Sequence, residues 1–271
     1  MNEPDQAFEL FALRYGSMNR TPRDNFLRAN PKRDQTTMDY FVWVARRADR
    51  VIVIDTGFRA AGSAGRSRSA LHSVAEGLAQ LDIAGSEVSD VVLTHLHNDH
   101  AGGTELFPEA TFHVQSRELS YATGPALRHP ILGRGYDIED LTAVMRLVAG
   151  RRVRCWDGRA EVAVGITGHL VGGHTAGSQA VVVATARGPV LLASDTVHYY
   201  ANFIDRNPFP SVVNMVELLD GYDEFGRLAA APAALVPGHD PLVLDLYPAP
   251  ADELTGWIAR LDVDPVAVPL G

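Results

Sequence analysis

The run THLHNDHAGG at residues 94–103 places three histidines and an aspartate within six positions, directly after the apolar stretch VVL at 91–93. A continuous apolar run of this kind reads as a strand buried on both faces. The polar cluster therefore falls where the chain leaves that strand and turns. In an extended segment alternate residues share a face, so His95 and His97 are expected to point to the same place. Asp99 and His100 then lie in the turn, with Gly102 and Gly103 letting the backbone fold back tightly. Imidazole nitrogens and carboxylate oxygens are the ligands that zinc and similar divalent metals accept. On composition alone such a pattern is expected in roughly one chain per thousand, so the reading is metal binding.

Three distal segments repeat the placement. GGHTAGS at 172–178 sets His174 in a Gly-rich turn, and LLASDT at 191–196 puts Asp195 at the end of an apolar strand. VPGHD at 236–240 places His239 after another short apolar run. A buried carboxylate without a partner is costly. Any one of these residues alone reads as an ordinary hydrogen-bonded side chain. Together, four strand ends present ligands in the order HxHxDH, H, D, H.

The remaining sequence is organised around those ends. Strands are expected at 8–15, 40–45, 51–55, 91–95, 111–114, 162–167, 179–185 and 189–194. Helices are expected at 67–81, 116–122, 138–150, 212–230 and 251–261. Two successive strand-and-helix halves suggest a sheet-on-sheet core with helices outside. The polar stretch 15–37 reads as a long N-terminal loop, a pocket rim or a subunit contact. Residues 56–70, rich in Gly, Ser and Arg, read as a mobile loop with a helix starting near Ser67 or Ser69.

The 271 residues, 46% apolar and 21% charged, fit a globular chain rather than a disordered one. The formal charge of −9 argues against general nucleic-acid binding. No apolar run approaches the roughly 20 residues of a membrane span, so no membrane partner is expected. The opening MNEPDQAFEL lacks a basic-then-apolar signal, and Cys155 is the only cysteine. Both features fit a cytoplasmic protein.

The ligand order and its contexts resemble the metallo-β-lactamase superfamily over about residues 40–240. The resemblance implies an α/β fold, a four-layered αββα metallo-β-lactamase sandwich, as a single domain over 1–271 with a helical insertion at 123–150. It implies two divalent metal ions, zinc by default, with manganese, cobalt or iron also suited to such donors. His95, His97 and His174 would hold one metal, and Asp99, His100 and His239 the other, with Asp195 bridging. Asp55, in VIVIDTG at 51–57, would orient a ligand from behind.

Within the superfamily, true β-lactamases carry cysteine at the position of Asp195. Glyoxalase II enzymes add a C-terminal helical domain, for which about thirty residues after His239 leave no room. RNA-processing members add basic recognition elements. The chain is most similar to the N-acyl-homoserine lactonase group of quorum-quenching enzymes, whose members are often homodimers. The implied activity is opening of a lactone ring by a metal-bridging hydroxide. The alternative is hydrolysis of another ester, amide or thioester, and the two other classes are an iron oxygenase and a non-catalytic scaffold. Where lactonases place a tyrosine three residues after the bridging aspartate, this chain has His198, followed by Tyr199 and Tyr200. Either His198 or Tyr199 would donate to the substrate carbonyl, and Asp99 would act as ligand, as proton carrier or as both. The substrate is a small molecule. Met18, Phe26, Tyr121, Tyr200, Phe203 and Phe209 are candidates for an acyl channel, and His129 for a substrate contact. His72, His113 and His169 show no pattern.

Overall fold

The computed structural model describes residues 7–29, 36–48, 50–59, 68–229 and 234–267. In the first sheet, β1 (Glu9–Asn19), β2 (Thr37–Arg47) and β3 (Arg50–Ile54) run antiparallel, and the short β4 (Arg68–Ala70) pairs with the end of β1. The sheet continues in parallel through β5 (Val88–Val92), β6 (Thr111–Gln115) and β7 (Val153–Trp156). The second sheet is the antiparallel series β8 (Arg159–Ala163), β9 (Ile166–Leu170), β10 (Gln179–Thr185) and β11 (Gly188–Ser194). The strand β12 (Leu235–Pro237) lies parallel to β11, whereas β13 (Ile258–Arg260) returns to the first sheet beside β1.

Alternation along the strands builds two cores. Leu10, Trp43, Ile52 and Ile54 face the second sheet and meet Val181, Val183 and Leu191. Their neighbours Leu13, Val42, Val44 and Val53 face the other way, where helices cover them. The helices are α1 (Pro22–Asn25), α2 (Val74–Ala79), α3 (Asn98–Ala101), α4 (Ser116–Ala122), α5 (Pro130–Gly133), α6 (Ile138–Ala149), α7 (Tyr200–Ile204), α8 (Met215–Leu228) and α9 (Leu242–Leu246). Leu78 of α2 and Val144 of α6 cover the first sheet, and Leu218, Tyr222 and Phe225 of α8 pack with the second. The result is the expected αββα sandwich. No helix among the described residues is long and apolar enough to cross a membrane.

Several elements differ from expectation, each because a non-local partner outweighs local periodicity. Residues 67–81 are not one helix: Arg68–Ala70 pairs with Gly16–Met18, and α2 starts only after Ser73. Ser73 and Glu76 form a reciprocal capping box there, which fixes the helix start. The helix expected at 251–261 is a 3₁₀ turn at Asp252–Leu254 followed by β13, which satisfies the edge of β1. The strand expected at 162–167 is the hairpin of β8 and β9, turning at Gly165 with φ of 92°. The segment 15–37 is not a continuous loop, since β1 runs on to Asn19 and α1 follows; its residues 30–35 lie outside the described residues. Of the loop expected at 56–70, residues 60–67 also lie outside them. The strand β7 was not anticipated.

The ligand-bearing turns share one edge of the sandwich, because β9, β11 and β12 run in the same direction and each delivers its turn after its last residue. The position of the α2 cap is testable. Ser73→Ala is expected to lower stability by about 1 kcal/mol, read as a lower urea midpoint. An unchanged or raised midpoint would indicate a helix that already includes residue 73, where alanine is favoured.

Candidate metal centre

The turn after β5 brings its histidines to the other three strand ends. Ligand atoms of His95, His97 and His174 lie within 4.8 Å of one another, as do those of Asp99, His100 and His239. The Asp195 carboxylate sits between the two groups. Its Oδ2 is 3.3 Å from His174 Nε2, and its Oδ1 is 2.9 Å from His239 Nε2 and 3.2 Å from His100 Nε2. His97 Nδ1 and His174 Nε2 are 3.0 Å apart and approach a common point.

Most of these rings are held from behind. His100 Nδ1 contacts Asp55 Oδ2 at 2.7 Å, His174 Nδ1 donates to the Ser211 carbonyl at 2.7 Å, and His239 Nδ1 donates to the Asp39 carbonyl at 2.7 Å. With the remote nitrogen engaged, each Nε2 points inward. The Nε2 atoms of His95, His100 and His239, and Asp195 Oδ1, are buried without a hydrogen-bond partner among the described residues. Buried polar atoms are seldom left so, and their convergence suits divalent cations bound by imidazole and carboxylate. Burial, reinforced by His174, pulls the His97 pKa down to about 3, which leaves its ring neutral and able to ligate. Burial alone would push the Asp195 carboxyl up, but His239, His100 and His198 outweigh it and hold the group well below the usual carboxylate range.

Asp55 also accepts from the Thr94 backbone N–H at 2.7 Å and the Thr94 hydroxyl at 2.8 Å. It thereby fixes the start of the ligand turn as well as His100. A second buried acid, Glu118 of α4, ties that turn to the second sheet. It accepts from Leu96 N at 3.0 Å, Tyr136 Oη at 3.0 Å, Thr175 Oγ1 at 2.6 Å and Gly177 N at 3.1 Å. Tyr136 in turn packs edge-on against His97. Gly135 lets the backbone pass close over the same ring, since a Cβ there would lie 2.4 Å from His97 Nε2. Neither Glu118, in an ordinary helical pattern, nor Tyr136 carries a signal in the sequence that marks it for the site.

A cavity of about 620 Å³ opens above the cluster, with His97, Asp99, His174, Asp195 and His198 at its base. His198 Nε2 is 3.0 Å from Asp195 Oδ2, and its ring stacks on Phe209 at 3.4 Å. Burial outweighs Asp195 and brings the His198 pKa down to about 3. Tyr199 does not line the cavity; its hydroxyl donates to the Thr37 carbonyl at 3.1 Å, and its ring packs near Phe26. Of the channel candidates, Met18 and Tyr121 line the cavity, whereas Tyr200 is buried in the apolar core and Phe203 packs edge-on against Tyr222 of α8. His129 is exposed and outside the lining. His113 is buried against Asp90 at 2.7 Å, His72 stacks on Trp257, and His169 contacts Thr167. Tyr40, Arg20, Arg68 and Arg134 line the cavity without having been anticipated from the sequence.

A family model described as the metallo-beta-lactamase superfamily matches residues 36–239. A protein named "Probable metallo-hydrolase" from Mycobacterium tuberculosis is 29% identical over 231 residues, 73% of each chain. The N-acyl homoserine lactonase AiiB of Rhizobium rhizogenes is 34% identical over 139 residues, 47% of each chain. Among solved structures, AidC, described as a dizinc quorum-quenching lactonase, superposes with a TM-score of 0.67 at 18% identity, covering 88% of this chain and 92% of its own.

Asp55 gives this centre a direct test. Asp55→Ala is expected to weaken divalent-metal binding about 10- to 100-fold, the usual cost of losing a partner behind a ligand. Competition with a chromogenic chelator reads the affinity, and an unchanged value would show that Asp55 does not set the ligand geometry.

Proposed function

This chain belongs to the metallo-β-lactamase superfamily, and from that premise we propose that it is a dinuclear metallo-hydrolase that opens a lactone ring. The observation that carries the reading is the convergence of seven imidazole and carboxylate side chains, several with buried unpartnered atoms, of which His97, Asp99, His174 and Asp195 line the base of one cavity. His95, His97 and His174 would hold one ion and Asp99, His100 and His239 the other, with Asp195 shared. Zinc is the default ion for this donor set. Relatives named as N-acyl homoserine lactonases support a carboxylic ester in a ring as the bond attacked.

When bound, such ions supply a water activated at neutral pH and a positive charge for the carbonyl oxygen, so no nucleophilic serine or cysteine is needed. The rest falls to the chain's own side chains. The His198 ring is clamped between Phe209 and Asp195 and presents an edge to the cavity. With Asp195 taken up as a metal ligand, the His198 Nε2–H would be free to turn from that carboxylate and donate a hydrogen bond to the carbonyl oxygen as negative charge develops there. We assign this role to His198 rather than Tyr199, whose hydroxyl is committed to Thr37. The Asp99 carboxylate lines the cavity. It can accept a proton from the attacking water and deliver it to the departing ring oxygen. Tyr15, donating to the Asp99 carbonyl at 2.5 Å, steadies the backbone that presents it.

The test is hydrolysis of acyl-homoserine lactones and simple γ-lactones in a pH-stat, with metal content measured on the same sample. Ring opening with about two metals per chain is expected, and it should disappear in Asp99→Asn and His97→Ala. Two bound metals with no lactone turnover would contradict the substrate assignment and leave an acyclic ester, amide or thioester as the bond to test.

A further inference from the structure

The hydroxyls of the tyrosines around the cluster differ in what they meet. Tyr15 donates to the Asp99 carbonyl at 2.5 Å, Tyr136 to Glu118 Oε1 at 3.0 Å and Tyr199 to the Thr37 carbonyl at 3.1 Å. Each of these has an oxygen acceptor, as buried hydroxyls usually do. Tyr40 does not. It is 4% exposed, and its hydroxyl meets one acceptor among the described residues, Met18 Sδ at 3.5 Å. A thioether sulfur is a weak acceptor, so most of this donor's capacity is unused. Tyr40 and Met18 both line the cavity above the cluster. Tyr121 lines it too, but its ring meets Tyr136 rather than a ligand.

The phenol is also held in place. Tyr40 lies in β2 directly after Asp39, whose carbonyl accepts from His239 Nδ1. One stretch of strand thus positions both His239 and the phenol. The Tyr40 ring packs edge-on against His239, with centroids 5.2 Å apart, and edge-on against Phe58 at 5.6 Å, while Tyr15 flanks it at 6.0 Å. The Arg68 guanidinium lies 5.8 Å from its centroid. A ring packed on several sides presents its hydroxyl in one place, as a preorganised donor must. Burial raises the Tyr40 pKa, followed by Asp99, with Asp195 adding less and Arg68 and Arg20 opposing. The phenol therefore keeps its proton and lies within electrostatic reach of both carboxylates. His198 and Tyr40 reach the cluster against different groups, His198 against Asp195 and Tyr40 against His239. Opening of a lactone develops charge on two oxygens, the carbonyl oxygen first and the ring oxygen second, and each calls for its own donor.

We propose that the Tyr40 hydroxyl is a catalytic group of this site: it donates a hydrogen bond to the ring oxygen as the acyl C–O bond breaks and that oxygen takes the bonding electron pair. The phenol keeps its own proton. The proton that ends on the alcohol product is the one carried by Asp99, so Tyr40 stabilises the departing alkoxide without being consumed. The assignment rests on the lactonase reading for the bond that breaks. It gives a partner to a buried donor that otherwise faces only a thioether.

The experiment compares wild type and Tyr40→Phe, at matched metal content, on N-hexanoyl-homoserine lactone and on the thiolactone in which sulfur replaces the ring oxygen. A thiolate leaves more readily than an alkoxide and accepts hydrogen bonds weakly. On the lactone kcat is expected to fall about 100-fold, and on the thiolactone by about twofold or less. A variant that had only lost ligand placement would lose both activities alike, so equal losses, or no loss on either substrate, overturn the inference. The crystal structure of zinc-loaded wild type with the ring-opened product gives a readout independent of rate. Tyr40 Oη is expected about 2.7 Å from the product hydroxyl, and a hydroxyl still on Met18 Sδ overturns the assignment. If wild type opens neither ring, the lactone reading fails by itself, and ethyl against 4-nitrophenyl butyrate puts the same question to an acyclic ester. Tyr40→Phe should then slow the ethyl ester about 100-fold and the nitrophenyl ester, whose leaving group needs little help, by about twofold or less. Equal effects on the two esters would remove Tyr40 from the chemistry.

Discussion

The Asp195 carboxylate is the interaction on which the rest of this site depends. It is buried, and five histidines face it: His198, His239, His100, His174 and His95, the last with its Nε2 4.0 Å away. Burying an ionised carboxylate without compensating charge costs several kcal/mol. Gathering five imidazoles around it is favourable only if positive charge is shared among them or supplied from outside. Divalent ions would resolve the conflict, since they would supply that charge and take the converging imidazole and carboxylate atoms as a common ligand set. Metal binding and folding of these turns are then linked, because a preformed site of this kind does not persist in an unfolded chain.

Two other buried acids transmit that constraint to the scaffold. Asp55, at the end of β3 with a left-handed φ of 62°, holds Thr94 and His100. Glu118 holds Leu96 on one side and Thr175 and Gly177 on the other. It thus links the turn after β5 in the first sheet to the turn after β9 in the second. Burial raises the Glu118 pKa although its four hydrogen bonds oppose the shift. The two sheets meet through an apolar core along their length, but at the functional edge they are joined by these polar clamps. Precise placement of ligands at a sheet-to-sheet junction needs such directional contacts, since apolar packing tolerates small slides.

Some of this was readable in the sequence. The turn at 94–103 is a local pattern, an apolar strand followed at once by ligands and glycines, and local patterns survive folding. The distal residues His174, Asp195 and His239 were legible only jointly, as polar residues each placed after a strand. The errors share one cause. Arg68–Ala70 and Ile258–Arg260 have helix-compatible spacing, but both pair with β1, and a pairing across long sequence separation leaves no periodic trace. The sequence alone left His198 and Tyr199 as alternative donors, because the contact that distinguishes them is also long-range. His198 takes the cavity-facing position, and the hydroxyl of Tyr199 is drawn to a carbonyl 162 residues away. Glu118, Tyr136 and the cavity arginines came into view only with the fold, because nothing in their local sequence separates them from surface residues.

The central claim is that side chains from both sheets form one two-metal site. Anomalous diffraction at the zinc edge, from crystals of zinc-loaded protein, tests it most directly. Two peaks about 3.5–4 Å apart are expected, one among His95, His97 and His174 and one among Asp99, His100 and His239, with Asp195 touching both. A single peak, or peaks that leave out either His174 or His239, would contradict it.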